Sequence, residues 1–172
     1  MRVLPVLVLA AVAAGCSSGA KDPAPAPGFS VADVQRTIDA ELPRTFSGLR
    51  VGPARCPGDL DPQPDKPGAC SVPVEGVPVR VRVERVDGGR FRVASDQAVI
   101  PVGRLEASLQ PAVSAKGRQS YAVDCGDEAV KVFDPPGKLS CVATPASGAP
   151  ARLTVTISDT AGNFTFEPEK DS

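Results

Sequence analysis

Five cysteines, Cys16, Cys56, Cys70, Cys125 and Cys141, are the side chains of this sequence best equipped for chemistry. Five thiols cannot all pair within one chain, so one must be free or serve another purpose. Histidine is absent altogether. That excludes nucleophile–histidine catalysis and the common histidine-bearing zinc sites. Carboxylates remain. Asp59, Asp61 and Asp65 alternate in PGDLDPQPDKPG (57–68) as calcium-ligating acids can. The glycine and glutamate that an EF-hand loop requires are missing, and Pro62 and Pro64 stiffen the wrong places. A solvated loop between two cysteines is the better reading. Asp124, Asp127 and Glu128 flank Cys125, but nothing in the surrounding sequence promises the burial that would raise one carboxyl pKa for acid catalysis. No catalytic residue, metal ligand or cofactor site is therefore assigned.

The odd cysteine is explained by what precedes it. Met1-Arg2 is followed by VLPVLVLAAVAA (3–14), a continuous run of apolar and small residues. It fits the apolar region of a signal peptide and falls short of the roughly 20 residues a spanning helix needs. Val12-Ala13-Ala14-Gly15-Cys16 resembles the bacterial lipobox, with small residues before the cleavage point and Ser17-Ser18-Gly19 after it. That resemblance implies a signal peptide over 1–15 and a Cys16 carrying diacylglycerol, with palmitate-type acyl chains. Two chains anchor stably where one is marginal. The expectation is a lipoprotein held on the outer face of the bacterial cytoplasmic membrane. Residues 16–29 alternate Pro and Ala in part and read as an extended tether, at about 3.1 Å per residue where polyproline-like.

Without Arg2, 18 basic residues face 20 acidic ones, so the mature chain is nearly neutral. A nucleic-acid partner, which demands a strongly basic surface, is not expected. Aromatics are scarce, with six Phe, one Tyr and no Trp, too few for large aromatic cores or sugar-stacking platforms. Val, Ala, Pro, Gly and Arg outweigh a sparse Lys, the bias of high-GC bacteria.

Removing Cys16 leaves two spaced pairs and exposes an internal repeat. Val34, Ile38 and Leu42 recur as Leu105, Leu109 and Val113, each set at the i, i+4, i+8 rhythm of an apolar helix face. RCPGDL (55–60) answers DCGDEA (124–129), and Cys70 answers Cys141. VPVRVRVERV (77–86) answers ARLTVTISD (151–159), and DGGRFRV (87–93) answers TAGNFTF (160–166). The sequence predicts an α+β protein of two tandem units, 30–97 and 98–168, followed by a polar tail, 169–172. Each unit is one helix packed on a small antiparallel sheet with one disulfide. Three connectivities are open to four cysteines. Pairing within each repeat is preferred because each thin core then carries its own staple, worth roughly 3 kcal/mol for such a loop.

The first helix should start at Ser30, capped with help from Asp33, and end near Pro43. In the second, Pro101 precedes the helix and Pro111 is expected to kink or shorten it. Val79, Val81 and Val83 share one strand face, opposite Arg80, Arg82 and Glu84. Phe91 and Val93 must join the valines, which demands a three-residue loop at Asp87-Gly88-Gly89. That loop sets Val83 opposite Val93 and Glu84 opposite Arg92, with Gly89 at positive φ. Leu153, Val155, Ile157, Phe164 and Phe166 should form the equivalent face of the second unit.

Cys56-Pro57-Gly58-Asp59-Leu60, Gly68-Ala69-Cys70-Ser71-Val72, Glu75-Gly76, and Val79-Arg80-Val81-Arg82-Val83 with Asp87-Gly88-Gly89 together resemble domain of unknown function 4333 of actinobacterial lipoproteins and membrane proteins. The likeness covers the first unit. The second follows only in outline, lacking the proline after its first cysteine. The resemblance implies a small disulfide-bearing α+β domain outside the cytoplasmic membrane and carries no activity with it.

Arg80, Arg82, Arg90 and Arg92 fall on one outward sheet face, relieved only by Glu84 in the local sequence. This basic face is the candidate binding surface, toward anionic lipid, an acidic wall polymer or an acidic protein; a solvated strand face is the plainer alternative. The second unit has Thr154, Thr156 and Ser158 at the matching positions. The expected function is that of a non-enzymatic envelope lipoprotein that binds a protein or cell-wall partner. The alternatives are a hydrolase using carboxylates alone and a structural spacer.

Overall fold

The computed structural model describes residues 29–169. The leader, Cys16 and most of the tether lie outside the described residues, and with them the anchoring expectation. The chain is α+β, with two helices, antiparallel sheets and two disulfides.

Helix α1 (Val31–Thr45) begins where its sequence allows a reciprocal cap. The Ser30 hydroxyl accepts from the Asp33 N–H at 3.2 Å, and the Asp33 carboxylate accepts from the Ser30 N–H at 3.0 Å. Two otherwise orphaned donors are thereby satisfied. Val34, Ile38 and Leu42 form its buried stripe. The helix runs two residues past Pro43, because the bond the ring forfeits lies in the last turn, where the Phe46 N–H still reaches the Leu42 carbonyl at 2.9 Å.

That stripe faces a three-stranded sheet of β1 (Gly68–Val74), β2 (Val77–Val86) and β3 (Arg90–Ser95), in the order β1-β2-β3. Val83 pairs with Val93 and Glu84 with Arg92, the register predicted from the alternation and the three-residue loop. Both Gly88 and Gly89 take positive φ, at 76° and 72°, where the sequence demanded it of Gly89 alone. Val34, Ile38, Leu42, Val72, Val81 and Val83 make a closed core with Cys70.

The sequence places strands only after each second cysteine. Instead Cys70 lies inside β1, which the prolines of SVPV disguise: Pro73 sits opposite Pro78, at the hairpin end. The segment before β1 also approaches it. Val51 bridges Val74 and Arg55 bridges Ser71. Between them Pro53 has no N–H to donate, so no continuous strand forms.

A short strand, β4 (Ala98–Pro101), leads into helix α2 (Val102–Gly117). Pro111 lies within α2 and does not shorten it. Leu109 and Val113 are buried on either side of it, and their burial outweighs the hydrogen bond that Pro removes, a loss of roughly 3 kcal/mol. After α2 come β5 (Tyr121–Asp124), β6 (Val130–Phe133), β7 (Gly137–Pro145), β8 (Ala151–Ile157) and β9 (Phe164–Pro168). β6 pairs with β4, an addition the sequence did not announce, while the other four form a sheet ordered β5-β7-β8-β9. Val155 faces Phe166 and Ile157 faces Phe164, and all four pack with Leu153 against α2 as predicted.

The two larger sheets share a register around their cysteines. Cys70 stands opposite Val81 and Cys141 opposite Leu153; Val72 stands opposite Val79 and Ala143 opposite Ala151. Cys56 is bridged to Cys70 and Cys125 to Cys141. Among the described residues no helix is long and apolar enough to cross a membrane.

Candidate functional site

The alternation of β2 and the register with β3 put Arg80, Arg82 and Arg92 on the sheet face turned away from α1, as the sequence indicated, with Arg90 at the turn end of β3. The face is not the bare cationic stripe that local sequence suggests. Arg82 pairs with Glu84 at 3.3 Å and with Asp96 at 3.4 Å, and Arg92 reaches the other Glu84 oxygen at 3.8 Å. Asp96 arrives because β3 continues past Arg82's neighbour, with its N–H bonded to the Arg80 carbonyl at 3.2 Å. Arg80 pairs with Asp134, which follows β6. The Gln97 side chain accepts from the Arg80 N–H at 2.7 Å and donates to the same Asp134 carboxylate at 3.2 Å. Three of the four guanidinium groups are thus paired with three carboxylates, two of them invisible to a local reading. Arg90 makes no ion pair among the described residues; its Nε donates to the Asp87 carbonyl at 3.4 Å. It lines an open groove of about 570 Å³ between α1 and the 87–89 turn, with Arg36, Glu41, Arg44 and Phe91.

Of the carboxylates singled out in sequence, Asp61, Asp124 and Glu128 are engaged by neighbouring groups. Asp124 accepts from the Gly126 N–H at 2.9 Å. Hydrogen bonds from its own backbone and from Lys131 lower the Glu128 pKa, with the Lys131 charge adding to the effect. Asp61 accepts from the Gln63 amide at 2.8 Å. The other displaced carboxylates also move down: Asp33 through hydrogen bonds from Ser30, Glu75 through those from Arg50, Asp159 through those from Asn163. A general acid needs the opposite displacement. Among the described residues no group of three or more Asp, Glu, Cys or His is arranged to hold a metal ion.

Two acids that the sequence reading passed over prove structurally informative. Asp39 of α1 accepts from the Ala54 N–H at 2.9 Å, two residues before Cys56; Glu106 of α2 accepts from the N–H of Cys125 itself at 2.7 Å. Each helix thus fastens the entry to the first cysteine of a bridge. The only sequence signal was an acid beside the apolar stripe, common to any amphipathic helix.

Comparison of the chain with protein-family models, curated proteins and solved structures returns no match.

Proposed function

We propose that this protein is a non-enzymatic, lipid-anchored module of the bacterial cell envelope that binds a protein partner. The observation carrying this reading is the use of the cysteines. The two bridges consume four of the five, so Cys16, set in its lipobox-like context, has no cysteine left to pair with. Disulfides persist in oxidising, extracytoplasmic compartments, which agrees with a signal peptide over 1–15 and a tether over 16–29.

The fold is read as two tandem units, 30–97 and 98–168, each with one helix, one sheet and one disulfide, related by duplication. The shared register around Cys70 and Cys141 and the similarly placed Asp39 and Glu106 bonds support it. Kinship of the first unit with domain of unknown function 4333 is proposed on the same cysteine-centred motifs.

Binding is assigned to the outward face bearing Arg80, Arg82 and Arg92, with Arg90 at its turn end. Its interleaved carboxylates suit a protein of mixed charge better than a polyanionic wall polymer, which a net field of one sign would attract. The test is cross-linking in the native envelope, with wild type compared with Arg82→Glu/Arg92→Glu. A specific protein captured by wild type and lost from the variant is expected. Capture that is lipid only, or unchanged in the variant, would overturn the assignment. A hydrolase would instead turn over an envelope polymer, and a spacer would capture nothing specific.

A further inference from the structure

A second site is suggested by a difference between the two helix-on-sheet regions. Toward the C-terminal end of α1, Leu42 and Val72 share the core, and Val79, opposite Val72 across the sheet, is also buried. At the same place beside α2 stand Val113, Ala143 and Ala151, each smaller. Ala151 is exposed where Val79 is sealed. The result is a cleft of about 220 Å³ between α2, β7, β8 and β9. Ala143 and Ala151 pair directly across the sheet, so the floor is flat and methyl-lined, continued by Leu153.

The rim is polar in one sense only. Lys116, from the last turn of α2, holds its Nζ 4.3 Å from the centre of the Phe166 ring and makes no ion pair among the described residues. It is the one charged side chain of the lining, which contains no acid. Tyr121 adds a phenol whose oxygen accepts from the Gln119 amide at 3.1 Å, leaving its own hydrogen free to donate. A flat aliphatic floor calls for an unbranched apolar chain. A lone cation with a neutral donor calls for a single negative charge at its end. The cleft falls below the roughly 300–1,000 Å³ of pockets for drug-sized ligands, so the chain must be short.

We infer that this cleft binds a short unbranched alkyl carboxylate, its chain on the Ala143–Ala151 floor and its carboxylate on Lys116. The site needs neither the lipid at Cys16 nor a macromolecular partner, so its failure would leave the envelope reading standing.

The test is an NMR titration of the whole chain carrying Cys16→Ser, which needs no detergent, with octanoate, octanol and octylammonium as probes. Octanoate should give saturable shifts confined to amides around Gly117, Tyr121, Ala143 and Ala151, and octanol should bind roughly ten-fold more weakly, as expected for loss of a charge-assisted hydrogen bond. Lys116→Met should bring octanoate down to octanol and leave octanol unchanged. Ala151→Val, which restores the residue of the other region at an exposed position, should abolish binding of both while the rest of the spectrum stays in place. Shifts that are absent or scattered would overturn the inference. So would octylammonium matching octanoate, or an Ala151→Val protein that binds as before.

Discussion

The α1 and α2 regions solve one packing problem with different detail. Both lay a helix stripe on a sheet whose second cysteine stands opposite an apolar residue of the next strand, Val81 or Leu153. Both let a helix acid grip the backbone beside the first cysteine. They diverge at the edges. α1 carries a reciprocal Ser30–Asp33 cap, whereas α2 starts at Pro101 with no side-chain cap, its first N–H bonding instead to the Ala129 carbonyl at 3.1 Å. The α1 sheet has three strands and two isolated bridges where Pro53 interrupts; the α2 sheet has a full fourth strand, β5. The outward face is guanidinium and carboxylate in one; in the other the hydroxyls of Ser140, Thr154 and Thr156 stand among Lys138, Arg152 and Glu167. What the two share is what holds a thin core together. Much of what differs faces solvent, and recognition is sought there.

The largest effects should fall on the shared parts. Ile38→Ala and Leu109→Ala remove fully buried side chains from the middle of each stripe, and each should lose about 4 kcal/mol in denaturant unfolding. A markedly smaller loss for one would mean that its stripe is not a core. Removing either bridge, as Cys56→Ala/Cys70→Ala or Cys125→Ala/Cys141→Ala, should destabilise by about 3 kcal/mol in the loop-entropy account. With sequence separations of 14 and 16, the two losses should be alike. A large inequality would break the comparison at its most similar point.

The caps should separate the regions. Ser30→Ala should cost about 1 kcal/mol by unfolding. It should also blunt the acid sensitivity of the protein. Hydrogen bonds from Ser30 hold the folded Asp33 pKa below its ordinary value, helped by Arg36. The stabilisation they represent is therefore complete above the ordinary carboxylate pKa of about 4 and is lost as pH falls through the lower, folded value. Stability measured from pH 6 down to about pH 2 should decline less steeply in the variant; an identical acid limb would refute the role given to the cap. The smallest effect belongs to the outward face. Arg92→Ala removes an exposed ion pair with Glu84 and should change stability by less than about 1 kcal/mol, less still in high salt. Loss of partner capture without loss of stability is the signature expected there.

Much of this fold is legible in residues whose pattern is local. VRVRV alternation and a three-residue glycine loop permit only one way to bury both strands, and the register follows. The i, i+4, i+8 stripes locate both helices, although Pro43 and Pro111 suggest earlier ends than tertiary burial allows. β1 and β7 are harder to see because the small residues of GACSVPV and GKLSCVATP give weak alternation. β4 and β6 are short and stabilise each other only across the intervening α2. The candidate face shows the same limit: Glu84 is two residues from Arg82, whereas Asp134 meets Arg80 from 54 positions away. No local reading can balance charges that the topology assembles.

The central claim is that a disulfide-stapled body is held at the envelope surface through Cys16. Mass spectrometry of the N-terminal peptide of the protein purified from bacterial membranes tests it most directly. A mature chain that begins at Cys16 with diacylglycerol and acyl mass on that residue is predicted. A peptide that retains residues 1–15, or that begins elsewhere with an unmodified Cys16, would contradict it.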